Sequence, residues 1–205
     1  MDAIESLDWG VVSNFGFTLN NYPKLLLLFK GAYYLGSYTG AGAIVIVALA
    51  MFLRQRSYRA ALATAACFAL AVGVFEVVRF VVPRRRPEDA QNLLGADGML
   101  GSYPSSVMLF MLSVNLLGCA VWDLLPAAAI RRRSLYALLA TLLTVWVCLS
   151  HMYLRIHFFS DVLGGLAAGA LFSWLGYRCI GPSVPKPVWA PADGAFRAGE
   201  PPRGS

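Results

Sequence analysis

The sequence predicts an all-α protein: a polytopic transmembrane helical bundle of about five spans, preceded by an N-terminal interfacial helix. Three observations lead there. Of the 205 residues, 58% are hydrophobic and only 14% charged, and mean hydropathy is +0.61, whereas soluble domains carry nearer a quarter charged residues. The apolar residues gather into runs of about twenty, the length that crosses a hydrocarbon core. The charged residues fall largely in the short connections between those runs.

In chain order, the first 30 residues mix Asp2, Glu5, Asp8, Trp9, Asn14, Asn20, Asn21, Pro23 and Lys24 with aromatics, a pattern that suits a helix lying in the interface. Their acidic start lacks the basic region and apolar core of a cleavable signal. Five apolar runs follow, over roughly 35–53, 60–82, 104–125, 134–154 and 158–178. From Gly181 the chain turns to Pro182, Pro185, Pro187, Pro191, Pro201 and Pro202 among Gly and polar residues, which predicts a disordered tail over 181–205 behind a membrane domain over 1–180. No internal repeat is visible.

Composition also excludes classes. The net charge of +6 comes from short clusters between apolar runs, with no aromatic-basic reading surface, so nucleic-acid binding is not expected. Cys67, Cys119, Cys148 and Cys179 lie far apart, without metal-type spacing, and read as packing residues. No cofactor or metal is expected.

Lys and Arg set the orientation. Arg54, Arg56, Arg59, Arg131, Arg132, Arg133, Arg178, Lys186, Arg197 and Arg203 share one side and outnumber Lys24, Lys30, Arg79, Arg84, Arg85, Arg86 and Arg155 on the other. Positive residues favour the cytoplasm, which puts the connection from Pro83 to Tyr103, and the turn holding His157, on the extracytoplasmic face.

Three clusters converge on that face. The chain has only two histidines, His151 and His157, and both lie beside Asp161 between two apolar runs. Arg79 and the run Arg84-Arg85-Arg86-Pro87 close the second span, and Pro104-Ser105-Ser106 opens the third. Guanidinium groups offer planar charged forks for phosphate oxygens, and a helix start adds free N–H groups beside a hydroxyl. An imidazole with a carboxylate four residues on fits a nucleophile and its orienter. Phosphoryl recognition is the chemistry these parts suit. Glu76, one turn before Arg79 in an apolar run, is expected to be its buried partner. Arg84, Arg85, Glu88, Asp89 and Asp97 read chiefly as solvated loop. The spacing from Gly165 to Gly169 predicts close helix packing.

These motifs make the chain resemble the membrane-bound type 2 phosphatidic acid phosphatase (PAP2) and haloperoxidase superfamily. That family's pattern is a lysine, six residues and Arg-Pro; then Pro-Ser-Gly-His; then Ser-Arg, five residues, His, three residues, Asp. Here Arg79, six residues and Arg86-Pro87 answer the first motif. Pro104-Ser105-Ser106-Val107 answers the second, and Ser150-His151, five residues, His157, three residues and Asp161 the third. The resemblance implies that His157 is the nucleophile, that Asp161 supports it, and that Arg79, Arg86 and Ser105 bind phosphate. Two motifs are degenerate. Val107 stands where the histidine that protonates the leaving group should be, and Ser106 replaces the glycine before it, adding a hydroxyl near the phosphate. His151 replaces a phosphate-clamping arginine; Arg155, one turn on, and Arg85 are candidate substitutes, and His151 itself a candidate proton donor.

The resemblance therefore implies an integral-membrane lipid phosphate or diphosphate phosphatase, or phosphotransferase, with a histidine nucleophile and a lost leaving-group acid. A catalytically impaired relative that binds a lipid phosphate as a scaffold is the alternative. The expected setting is a bacterial inner membrane, with the site on the extracytoplasmic face. The lipid and any protein partner are not legible.

Overall fold

The computed structural model of the chain describes residues 3–15, 23–87, 101–124 and 130–181. The tail beyond Gly181, and Glu88, Asp89 and Asp97 in the long connection, lie outside these. Seven helices make up the described residues: α1 (Ala3–Phe15), α2 (Pro23–Leu35), α3 (Tyr38–Arg54), α4 (Tyr58–Val81), α5 (Val107–Leu124), α6 (Ile130–Tyr153) and α7 (Phe159–Ile180). The all-α expectation holds.

The number of spans needs refinement. Helices α4, α6 and α7 are each long and apolar enough to cross a membrane; α2 and α3 qualify only together, bent by 55° at the break between them. The apolar stretch of α5, Val107–Trp122, is shorter. The first 30 residues are thus not one interfacial helix. They hold α1 and the beginning of α2, and α2 joins α3 as a broken span or re-entrant element.

The break has a local cause. Ser37 turns the chain, accepting from the Gly40 amide at 3.3 Å and donating to the Tyr34 carbonyl at 2.6 Å. Its hydroxyl thus serves the helix that ends and the helix that starts. A Cβ on Gly36 would lie 2.3 Å from Val147 Cγ1, so only glycine lets the break approach α6 this closely. Ser106 donates to the Gly36 carbonyl at 2.9 Å and pins the break to the start of α5.

Helix α5 is the buried centre. It packs most extensively on α7 and α3, and Met108, Leu109, Phe110, Leu112 and Leu116 are almost fully buried. On α7, the residues facing it are glycines. A Cβ at Gly165 would sit 2.8 Å from the Ser105 carbonyl oxygen, and one at Gly169 3.1 Å from that of Met108. The expected close packing at these two positions is observed. By contrast, Leu62, Leu70, Val77 and Phe80 on α4, and Leu135, Leu138 and Leu142 on α6, are exposed. Bare apolar faces on two long helices are what a lipid-facing surface requires.

The glycine seam predicts a mutational asymmetry. Gly165→Val forces a branched side chain against Ser105 backbone and should destabilise by about 1–3 kcal/mol. Gly73→Ala, where a Cβ meets nothing within 4 Å, should be neutral or slightly stabilising through helix propensity. Thermal unfolding in detergent micelles compares the two.

Candidate active site

The expected site segments meet at one end of the bundle. They comprise the segment after α4, the lead into α5, the end of α6 and the start of α7, with α1 laid alongside.

The end of α6 shows how local sequence aims the two imidazoles. The Ile156 amide donates to the His151 carbonyl at 3.0 Å, and the Arg155 amide to that of Met152 at 3.0 Å. This is the bond pair that ends a helix around one left-handed residue, and Arg155 supplies it with φ 52. The reversal brings His157 back onto the last turn, its ring centroid 5.1 Å from that of His151. Arg155 thus stands at the turn itself.

Asp161 lies in the first turn of α7 and is fully buried. Its Oδ2 accepts from the Phe158 amide at 3.0 Å, satisfying a free helix-start N–H, and faces His157 Nδ1 at 3.7 Å. That separation is an ion-pair distance rather than a hydrogen bond. The Ser105 amide donates to the Asp161 carbonyl at 3.1 Å, fixing the second motif against the third. Ser105 Oγ lies 2.8 Å from His151 Nδ1, and both residues are fully buried.

The cationic residues divide their tasks. Arg79 donates from Nε to the Gly101 carbonyl and from Nη1 to Tyr38, each at 3.2 Å. Glu76 lies 3.9 Å from Arg79 and accepts from Tyr38, but its side chain is half-exposed. The expected buried partner is therefore a partner at the surface, because the end of α4 faces outward there. Arg84 overturns the solvated-loop expectation. Its Nη1 bonds Asp161 Oδ1 at 2.7 Å, its Nη2 bonds Asp8 Oδ2 at 2.6 Å, and it stacks over Phe158 at 4.4 Å. Burial alone would lower its pKa, but the two carboxylates outweigh that and raise it.

Arg86 differs. Its Nε and Nη1 are buried without a hydrogen-bond partner among the described residues, as is His151 Nε2. Its charge acts on Tyr33, His151 and His157. Burial lowers its pKa, with Arg79 adding repulsion. His157 is also held below the ordinary histidine range, first by burial and then by Arg86, while Asp161 and the Ser102 backbone pull the other way. Ser106, expected near phosphate, spends its hydroxyl on Gly36. Val107 is fully buried among Phe110, Val147 and Met152, so the position of the missing proton donor has become core.

A cavity of about 540 Å³ opens over Arg84, Arg85 and Arg86, with Ile4, Glu5, Trp9 and Phe158 as its other walls. A larger hollow of about 920 Å³ lies between α5, α6 and α7, but no acidic or basic side chain lines it. The smaller one is lined by three arginines.

The sequence model of the PAP2 superfamily matches residues 77–185, more than half of the chain. The chain belongs to this superfamily. Its fold is similar to the crystal structure of the first transmembrane PAP2 type phosphatidylglycerolphosphate phosphatase from Bacillus subtilis. The TM-score is 0.75 at 22% identity, covering 87% of this chain and 86% of that one. A search of curated proteins gave no match.

Asp8, Arg84 and Ser160 are polar residues at this end of the bundle that motif spacing missed. Asp8 accepts from the Ser160 amide at 2.9 Å and from its hydroxyl at 2.6 Å. The hint in the sequence is an acidic residue directly before Trp9.

The buried His157 predicts a pH-dependent stability. A histidine whose pKa is lowered by folding binds its proton more readily when unfolded, so stability falls as pH drops through the ordinary histidine range near 6.5. Unfolding temperatures in detergent should fall between pH 8 and pH 5. His157→Gln should flatten part of that slope; an unchanged slope would remove His157 from the account.

Proposed function

We propose that the chain is an integral-membrane phosphatase or phosphotransferase for lipid phosphates or diphosphates, with His157 as nucleophile. One observation carries the reading. Buried donors on Arg86 and a buried ring nitrogen of His151, without protein partners among the described residues, lie beside an imidazole whose lowered pKa keeps it neutral. Unsatisfied buried donors are rare and costly, and a phosphoryl group supplies the acceptors they lack. Family membership and the likeness to a phosphatidylglycerolphosphate phosphatase support the same chemistry.

The mechanism follows from these parts. Arg86, Arg79 and the His151 Nε2 side hold the phosphoryl oxygens, with Ser105 and Arg155 as further candidates from the motif comparison; Ser106, whose hydroxyl donates to Gly36, is not among them. A ring nitrogen of neutral His157 attacks phosphorus, the bond to the leaving oxygen breaks, and Asp161 stabilises the imidazolium-like phosphohistidine. Water then releases phosphate, or an acceptor hydroxyl takes the phosphoryl group. No metal is needed, because the arginines supply the positive charge. The site faces the extracytoplasmic side of a bacterial inner membrane, as the arginine asymmetry suggests.

Val107 favours one substrate class. A positioned general acid contributes roughly 10² to 10⁴ in rate, and a buried valine supplies none. A leaving phosphate, as from a polyprenyl or other lipid diphosphate, departs without that proton. Purified protein should release phosphate faster from a lipid diphosphate than from phosphatidic acid; the reverse order would refute the preference. If His151 has taken over proton donation, His151→Gln abolishes activity and removes the limb of the pH profile that reports the acid.

Vanadate, a mimic of pentavalent phosphorus, tests the nucleophile. It should bind wild type and not His157→Gln, and Arg86→Met should lower the rate by about 10² to 10³. Vanadate binding indifferent to His157, without phosphate release from either lipid, would instead support the impaired, scaffold-like relative that Val107 suggests.

A further inference from the structure

Among the described residues, Asp8 is the most deeply buried acid outside the motifs, fully enclosed although it sits on α1. It accepts from Arg84, the Ser160 amide and the Ser160 hydroxyl at 2.6 to 2.9 Å. The cluster holds one cation and two anions: Arg84 lies between Asp8 and Asp161, with Nη1 also on Ser160 Oγ at 2.5 Å. Asp161 divides its oxygens accordingly. Oδ1 takes Arg84, while Oδ2 turns to the Phe158 amide and His157.

The charge balance has a consequence. A buried Arg84 paired with Asp161 alone would neutralise it, and a neutral pair gives little support to positive charge on an imidazole. With Asp8 present, the three groups carry a net charge of minus one. We infer that Asp8 is a positioning residue for the reaction at His157: by neutralising Arg84 from α1, it leaves the negative charge of Asp161 available to the imidazole. As a statement about phosphoryl transfer this rests on the proposed function; as a statement about the field at His157 it does not. Trp9, edge-on to Phe158 at 5.4 Å, holds α1 in register, so the helix is part of the site and not merely its outer wall.

Among the described residues, the titratable and charged groups acting on His157 are Asp161 on α7, His151 on α6 and Arg86 after α4, with Arg84 acting through Asp161. With only two histidines in the chain, ¹⁵N-histidine NMR of the full-length protein in detergent micelles follows His157 directly, whatever its activity. Asp8→Asn should lower the His157 titration midpoint by about one pH unit, a tenfold change in proton affinity. Arg84→Gln, which leaves both carboxylates uncompensated, should raise it. Asp8→Asn with Arg84→Gln should return it toward wild type. In phosphate release from dioleoyl phosphatidic acid or a polyprenyl diphosphate, Asp8→Asn should lower kcat with little change in KM, and Asp8→Glu should recover much of it.

A midpoint unmoved by both Asp8→Asn and Arg84→Gln would overturn the inference, even if Asp8→Asn lowers the unfolding temperature, because a purely structural contact has no reason to move a titration in opposite directions. Should Asp8→Asn not fold, Arg84→Gln decides alone: a raised midpoint supports the inference and a fixed one overturns it. If wild type releases no phosphate from either lipid while the midpoints move as stated, the phosphatase reading fails and the inference about the field at His157 stands.

Discussion

The guanidinium of Arg84, clamped between the fully buried carboxylates of Asp8 and Asp161, is the interaction on which the rest of the site depends. It joins three segments remote in sequence: α1, the segment after α4, and the start of α7. Buried ion pairs add little net stability, since desolvation offsets much of the attraction, but removing one partner leaves a stranded charge that costs about 3–5 kcal/mol. Such a contact selects one arrangement over others more than it deepens the well. Here the selected arrangement turns Asp161 Oδ2 toward His157 and lays α1 along the cavity mouth.

Packing supplies what electrostatics alone does not. The glycines of α7 let its backbone approach the start of α5, close enough for the Ser105 amide to reach the Asp161 carbonyl. Gly36 lets the α2–α3 break approach α6 beside His151, where a Cβ would lie 3.5 Å from Nε2. Backbone approach at two places therefore sets the distances among Ser105, His151, His157 and Asp161. Hydrophobic burial holds these helices together without specifying that register.

The fold class and the neighbourhood of the site were legible because they rest on local pattern. Runs of about twenty apolar residues need no partner to be recognised, and the spacings from Arg79 to Arg86 and from His157 to Asp161 lie within one or two helical turns. Family membership is shown by the match over residues 77–185. The bent α2–α3 pair was not legible as such, since its apolar content is shared between two short helices and the turn turns on one serine and one glycine. Asp8 was missed for a different reason. Its partner Ser160 is 152 residues away, and no periodicity links an acid on the first helix to an arginine after the fourth. Ser106 shows the opposite limit: motif position placed it near the anion, but a carbonyl at the helix break claims its hydroxyl.

Arg84 and Arg86, two residues apart, have opposite surroundings, and that contrast explains how a permanently charged run can serve a buried site. The first is matched by two carboxylates, so its charge is spent within the protein. The second keeps Nε and Nη1 buried without partners among the described residues, and its charge depresses the pKa of His157. An unmatched guanidinium in a low-dielectric setting is costly, and on the proposed function a bound phosphoryl group would offset that cost. On that proposal a seated anion would screen the repulsion that Arg86 adds to the burial already keeping His157 neutral. Asp161 is then the charge nearest the ring as positive character develops on it. Holding Arg84 away from that balance requires a second carboxylate, and α1 is the element that carries it.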